Sequence, residues 1–112
     1  MNNAEVAKKF VEGFTKARTF TNNIFVEGRA IYSYGKHFPI AFRLNDDIYL
    51  VNSEGYSITT AKHKSLVKNM IGRSQIIYLT TKELRYVIGK DIKDVKELMF
   101  DKLTEENIAN EI

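Results

Sequence analysis

The chain has 112 residues and a mass of 12.9 kDa, enough for one domain (residues 1–112) around a modest core. Its 44% hydrophobic and 28% charged content excludes a wholly disordered chain, and no apolar run reaches the roughly 20 residues of a membrane helix. The absence of cysteine excludes disulfide scaffolds and thiolate zinc sites, and the opening Met1-Asn2-Asn3-Ala4-Glu5 lacks the layout of a signal peptide.

The net charge of +3 is unevenly spread. Residues 1–90 carry 14 basic and 7 acidic side chains, whereas residues 91–112 carry 3 and 7. No carboxylate lies between Glu54 and Glu83, a gap that holds Lys62, Lys64, Lys68, Arg73 and Lys82. This pattern points to one anion-facing side. The abundance of Lys, Ile and Asn (12, 12 and 9 residues) suits an AT-rich source such as a low-GC bacterium or a mobile element.

In chain order, Val6, Ala7, Phe10, Phe14 and Ala17 recur at helical spacing, predicting a helix over 4–17 capped by Asn3. Short β-favouring runs follow at 24–26 and 29–34. Phe38, Ile40, Phe42 and Leu44 then alternate with Pro39, Ala41 and Arg43, predicting a strand with one apolar face, placed at an edge or starting at Pro39. Asn45-Asp46-Asp47 turns into a strand at 48–51, and Asn52-Ser53-Glu54-Gly55 into another at 56–58. Thr59 or Thr60 opens a helix that Gly72 stops near Ile71. Residues 76–79 read as a buried strand. Thr80 with Glu83 forms a capping box for a short helix to about Ile88, with a strand at 86–88 as the alternative. Asp91 caps a last helix with Ile92, Val95, Leu98, Met99 and Leu103 on one stripe, and Thr104 to Ile112 frays or adds a turn. The sum is an α+β domain: an antiparallel meander of about five strands with three to four packed helices.

The 60–71 helix begins oddly. On a helical wheel Leu66, Val67, Met70 and Ile71 form the buried stripe and His63 lies on it one turn earlier. The first turn then holds Lys62, His63 and Lys64 without an acid, although helix N-termini favour negative charge. An outside anion on the free N–H groups would explain it, with Ser57, Thr59 and Thr60 as hydroxyl donors and Lys62, Lys64 and Lys68 as charges. The plain alternative is a threonine-capped helix with solvated lysines. Glycine-rich phosphate loops are absent.

Ala30, Tyr32 and Tyr34 share one strand face, with Tyr49 and Tyr56 in nearby strands, a possible stacking platform for bases beside Arg29, Lys36 and Arg43. The competing reading buries those rings in the core. His37 and His63 are the only histidines. Two imidazoles meeting at one sheet end could cleave RNA by acid–base transfer, but a hydrogen-bonded core role suits His63 better. No metal-ligating spacing occurs, and no cofactor is implied.

Two blocks carry a family resemblance: Ile31-Tyr32-Ser33-Tyr34-Gly35-Lys36-His37-Phe38-Pro39-Ile40-Ala41 and Val51 to Ser65, which contains Tyr56-Ser57-Ile58-Thr59-Thr60-Ala61-Lys62-His63-Lys64-Ser65. They resemble a group of small uncharacterised proteins from phages, plasmids and prokaryotic genomes, in which a Tyr-Ser-Tyr-Gly-x-His-Phe-Pro block precedes a Tyr-Ser-x-Thr-Thr-x-x-His-x-Ser block. The resemblance spans about residues 24–72. It implies a mobile-element setting and no assigned activity, and it puts His37, Tyr56, Ser57, Thr59, Thr60, His63 and Ser65 forward as a shared constellation. The expectation is therefore a non-enzymatic, phage-type accessory protein of the host cytoplasm, without a membrane partner. Its basic face binds nucleic acid or a nucleic-acid-bound protein. The runner-up is an inhibitor of a host defence protein, of the anti-CRISPR kind, with the acidic 91–112 segment mimicking nucleic acid. A two-histidine ribonuclease is the third reading.

Overall fold

In the first turn the Asn2 side chain accepts the Glu5 amide at 2.8 Å and Glu5 reaches back to the Asn2 amide, a reciprocal cap that opens α1 (Asn3–Val11). The cap is therefore Asn2 and not Asn3. The computed structural model describes the backbone of residues 1–55 and 57–111 and the side chains of 1–55 and 57–101. The helix predicted to residue 17 stops at Val11. Gly13 takes φ +91°, and the chain turns into β1 (Lys16–Arg18). Phe14, predicted for the buried stripe, is 47% exposed beneath Lys9, whose Nζ lies 4.2 Å from the ring centre.

The next four strands are β2 (Ile24–Glu27), β3 (Ala30–Ser33), β4 (Pro39–Arg43) and β5 (Ile48–Asn52). They continue an antiparallel meander in the order β1-β2-β3-β4-β5. α2 (Ile58–Ile71) then crosses over, and β6 (Gln75–Leu79) pairs with β5 in parallel. The class is α+β as expected, with two corrections: the sheet has six strands, and its last pair is parallel. The strand expected at 56–58 is absent at its described end, where Ser57 caps α2 and Ile58 is already helical; Tyr56 lies outside the described residues. α3 (Thr81–Ile88) follows from the capping box of Thr80 and Glu83, and α4 (Ile92–Glu111) is one continuous helix. Leu103 and the side chains beyond it lie outside the described ones.

Helices cover both faces of the sheet. Val6, Ala7 and Phe10 of α1 and Val67 and Ile71 of α2 pack on Ile24, Val26, Ile31, Ala41, Tyr49 and Val51. Leu84 and Val87 of α3 and Val95 and Met99 of α4 pack on Ala30, Tyr32, Phe42, Leu50, Ile77 and Leu79. Each large side chain fully buried this way contributes roughly 1.5–3 kcal/mol. The single apolar face expected for Phe38 to Leu44 is split between the two cores. Ile31 pairs with Ala41 but Tyr32 pairs with Pro39, so Ile40 is an extra residue in a bulge. The bulge reverses the side-chain parity, sending Phe38 and Ile40 to the α1/α2 side and Phe42 and Leu44 to the α3/α4 side. It also accommodates Pro39, which has no N–H for the ladder.

Candidate nucleic-acid interface

The end of β3 and the start of α2 bring the two motif blocks together. His63 is 5% exposed, because it faces the sheet one turn before Val67. Its Nδ1 lies 2.8 Å from the Ser33 hydroxyl, which lies 3.3 Å from the Thr60 hydroxyl, which accepts from Ser57 at 3.1 Å. With Nδ1 as the acceptor these hydroxyls order in one direction: Ser57 donates to Thr60, Thr60 to Ser33, and Ser33 to the imidazole. Burial holds the His63 pKa below its ordinary value, so the ring is neutral at neutral pH, as this chain requires. The Tyr34 ring stacks on His63 with centroids 5.6 Å apart, held there by a left-handed backbone at φ +63°. A Cβ on Gly35 would stand 2.9 Å from the His37 ring, so the Gly-x-His spacing of the first block reflects an imidazole seated against a bare Cα.

This geometry corrects the anion-pocket expectation at two residues. Ser57 accepts the Thr60 amide and donates to the Thr60 hydroxyl, while Thr60 is 1% exposed. Both hydroxyls are used inside the protein and do not face a guest. Thr59 and Ser65 are exposed on α2 but belong to no hydrogen-bonded pair in this cluster. The missing acid is nevertheless a real departure: α1, α3 and α4 carry Glu5, Glu83 and Asp94 in their first turns, and α2 carries none. Glu54, the nearest acid in sequence, accepts the Thr81 amide at 2.7 Å instead, and that bond lowers its pKa.

The secondary cations do not join the helix start. Arg29 donates to the carbonyls of Arg43 and Leu44 at 3.0 and 3.3 Å, bracing the far ends of β3 and β4. Arg43 pairs with Asp46 at 3.0 Å in the same region. The register puts this end a full strand length from Ser33, since Ala30 pairs with Phe42 and Tyr32 with Pro39. Lys36 is ion-paired to Glu27 at 2.7 Å, which raises its pKa. Arg29 and Arg43 brace the sheet end, Lys36 is engaged in an exposed ion pair, and none of the three joins the lysines of α2.

The tyrosine platform also fails as expected from sequence. Tyr32 is buried against Phe25 with ring centres 5.1 Å apart, and Tyr49 is buried against Phe10 with its hydroxyl on the Val11 carbonyl. Burial raises the pKa of both phenols. Among the described residues the exposed rings near α2 are Tyr34, at 48%, and Tyr78 on β6, at 47%. Tyr78 was not anticipated, because residues 76–79 read as a buried strand. β6 is an edge strand whose side chains alternate, with Ile77 and Leu79 inward and Tyr78 opposite Val51 on the α2 side. The Lys68 ammonium lies 5.3 Å from the Tyr78 ring centre. Lys64, one turn earlier on the same flank, donates to the Glu54 carbonyl at 3.4 Å, and Lys62 is exposed on the opposite flank.

The surface thus presents three lysines on a helix without a carboxylate, with an exposed aromatic ring beneath one of them. It offers charge for phosphates and a flat face for a base. Among the described residues no group of three or more His, Asp or Glu could hold a metal ion. No helix is long and apolar enough to cross a membrane among them. Comparison with protein-family models, curated proteins and solved structures finds no match for this chain.

Proposed function

We propose that the chain is a non-enzymatic accessory protein, of the small mobile-element kind its two motif blocks resemble, that binds single-stranded nucleic acid or a nucleoprotein exposing one. Contact is made along α2. The observation that carries this reading is the half-exposed Tyr78 ring under Lys68 on a carboxylate-free helix. A duplex hides its base faces, whereas an unpaired base can stack on Tyr78 while Lys64 and Lys68 take flanking phosphates. Lys62 and the exposed Thr59 extend the contact toward the helix start. The test is fluorescence anisotropy with single-stranded DNA, single-stranded RNA and duplex at two salt concentrations. Single strands should bind more tightly than duplex, with log K falling by about 0.7 per log unit of salt for each phosphate contact. Equal or absent binding to all three probes at low salt would reject the reading.

The second reading, inhibition of a host defence protein by nucleic-acid mimicry, draws on α4. Asp94, Glu97 and Asp101 recur there at helical spacing on exposed positions. It predicts tight binding to a basic protein partner and no affinity of the isolated chain for any nucleic acid.

A further inference from the structure

We propose that Tyr34 is a second stacking platform for the same single strand, which then runs across the start of α2 from the Tyr78 flank to the Tyr34 flank. The inference rests on the single-strand reading and names the further residue that sets how much strand is recognised. Among the described residues the backbone φ is positive at Gly13, Gly28, Gly35, Gly72, Asn22 and Tyr34. Glycine and asparagine suit a left-handed backbone, and a bulky aromatic residue does not. Gly28 meets the same angle as Tyr34, φ +63°, with no side chain at all. Stability alone therefore does not account for a tyrosine at this position. Its ring lies 30° from parallel over His63, and that imidazole is buried and fixed through the Ser33 hydroxyl. One side of the ring is braced, and the residue stays half exposed. A ring held in this way accepts a base with little further ordering.

Both rings are on the α2 side of the sheet, Tyr34 against His63 and Tyr78 beneath Lys68. Their strands β3 and β6 are three places apart in the sheet, roughly 14 Å at the usual strand spacing. Tyr78 pairs with Val51, Val51 with Ala41 and Ala41 with Ile31, so Tyr34 is three residues further along, roughly 10 Å. A strand of roughly four or more nucleotides reaches from one ring to the other, and a shorter one occupies a single ring. Lys64 and Lys68 stand on the Tyr78 flank of α2 and Lys62 on the other, with no carboxylate of the helix to repel the phosphates between.

The test compares oligothymidylates of about eight and about three nucleotides by fluorescence anisotropy on the full chain. Tyr34→Asn, a residue that suits the left-handed backbone, should keep the wild-type circular dichroism. It should weaken binding of the longer probe by roughly 5- to 150-fold, the loss of one stacked base, with the salt slope unchanged. Binding of the shorter probe, which rests on Tyr78 and its lysines, should stay near wild type, and Tyr34→Phe should retain full affinity for both. On the wild-type protein, irradiation with a 5-iodouracil-substituted strand should crosslink both Tyr34 and Tyr78, a readout that does not depend on how the variant folds. Crosslinks at Tyr78 alone overturn the inference. So does a Tyr34→Asn protein that binds the longer probe like wild type while Tyr78→Ala does not, an outcome that leaves the single-strand reading standing. Absence of wild-type binding to either probe overturns that reading and this inference with it.

Discussion

The two faces of this sheet are covered by helix pairs of opposite character. On one side α1 and α2 close over a core that includes the hydrogen-bonded row from Ser57 to His63, and α2 shows solvent only cations among its charged groups. On the other side α3 and α4 pack on the sheet and leave a groove open, lined by Tyr86 and Leu98 with Glu54, Lys82, Glu83 and Arg85, charges of both signs. The proposed contact with nucleic acid is assigned to the α2 side, whose helix carries no carboxylate.

Truncations in the two cores give the largest expected effects. Phe10→Ala on the α1/α2 side should cost about 3–5 kcal/mol in urea unfolding, and Leu84→Ala on the α3/α4 side about 2–5 kcal/mol. Both side chains are fully buried, at 1% and 0% exposure. If either were neutral, its helix layer would not be part of the cooperative fold. Next, Ser33→Ala should cost about 1–3 kcal/mol, because it leaves the His63 nitrogen and the Thr60 hydroxyl without their shared partner. An unchanged unfolding midpoint would mean that the hydroxyl row is not formed in solution.

The pH dependence of stability should follow His63 on the α1/α2 side. Its folded pKa lies below the ordinary 6.5, so the unfolded chain takes up the proton first as pH falls. The His63 contribution is therefore fully present above pH 6.5 and is lost on acidification, until the folded ring is protonated too. Urea midpoints at a series of pH values should fall more steeply in acid for wild type than for His63→Gln. Parallel curves would contradict a buried, neutral imidazole. The smallest effect belongs to Lys36→Met, which removes an exposed ion pair to Glu27 and should shift neither unfolding nor nucleic-acid affinity measurably. A clear loss of affinity would return Lys36 to the interface.

What the sequence disclosed, and what it concealed, follows from the range of the interactions involved. The buried stripes of α1 (Val6, Ala7, Phe10), α2 (Val67, Ile71) and α4 (Val95, Met99) and the Thr80–Glu83 cap are local patterns and legible, whereas Phe14 and Leu98, expected on those stripes, are 47% and 43% exposed. The three residues of β1 carry no hydrophobic signal, since only Ala17 faces inward. The parity change in β4 depends on a bulge opposite β3, and the parallel β5–β6 pair depends on where α2 lands; neither is written locally. The lysines of α2 were legible as a charge gap. Tyr78 was not, because its exposure follows from β6 being the last strand. Thr60 does not face a guest because its partner Ser33 stands 27 residues away in the chain, whereas Ser57 is spent on the local cap of Thr60. His63, placed on the buried stripe by its spacing to Val67, lies where that spacing put it.

The central claim is that α2 and Tyr78 form a surface for unpaired bases and their phosphates. Anisotropy titration of a short single strand against wild type, Lys64→Glu with Lys68→Glu, and Tyr78→Ala tests it most directly. Affinity should fall to the baseline in the charge variant and by about 1–3 kcal/mol in Tyr78→Ala, with the salt slope preserved only in the latter. Undiminished binding by both variants would contradict the account.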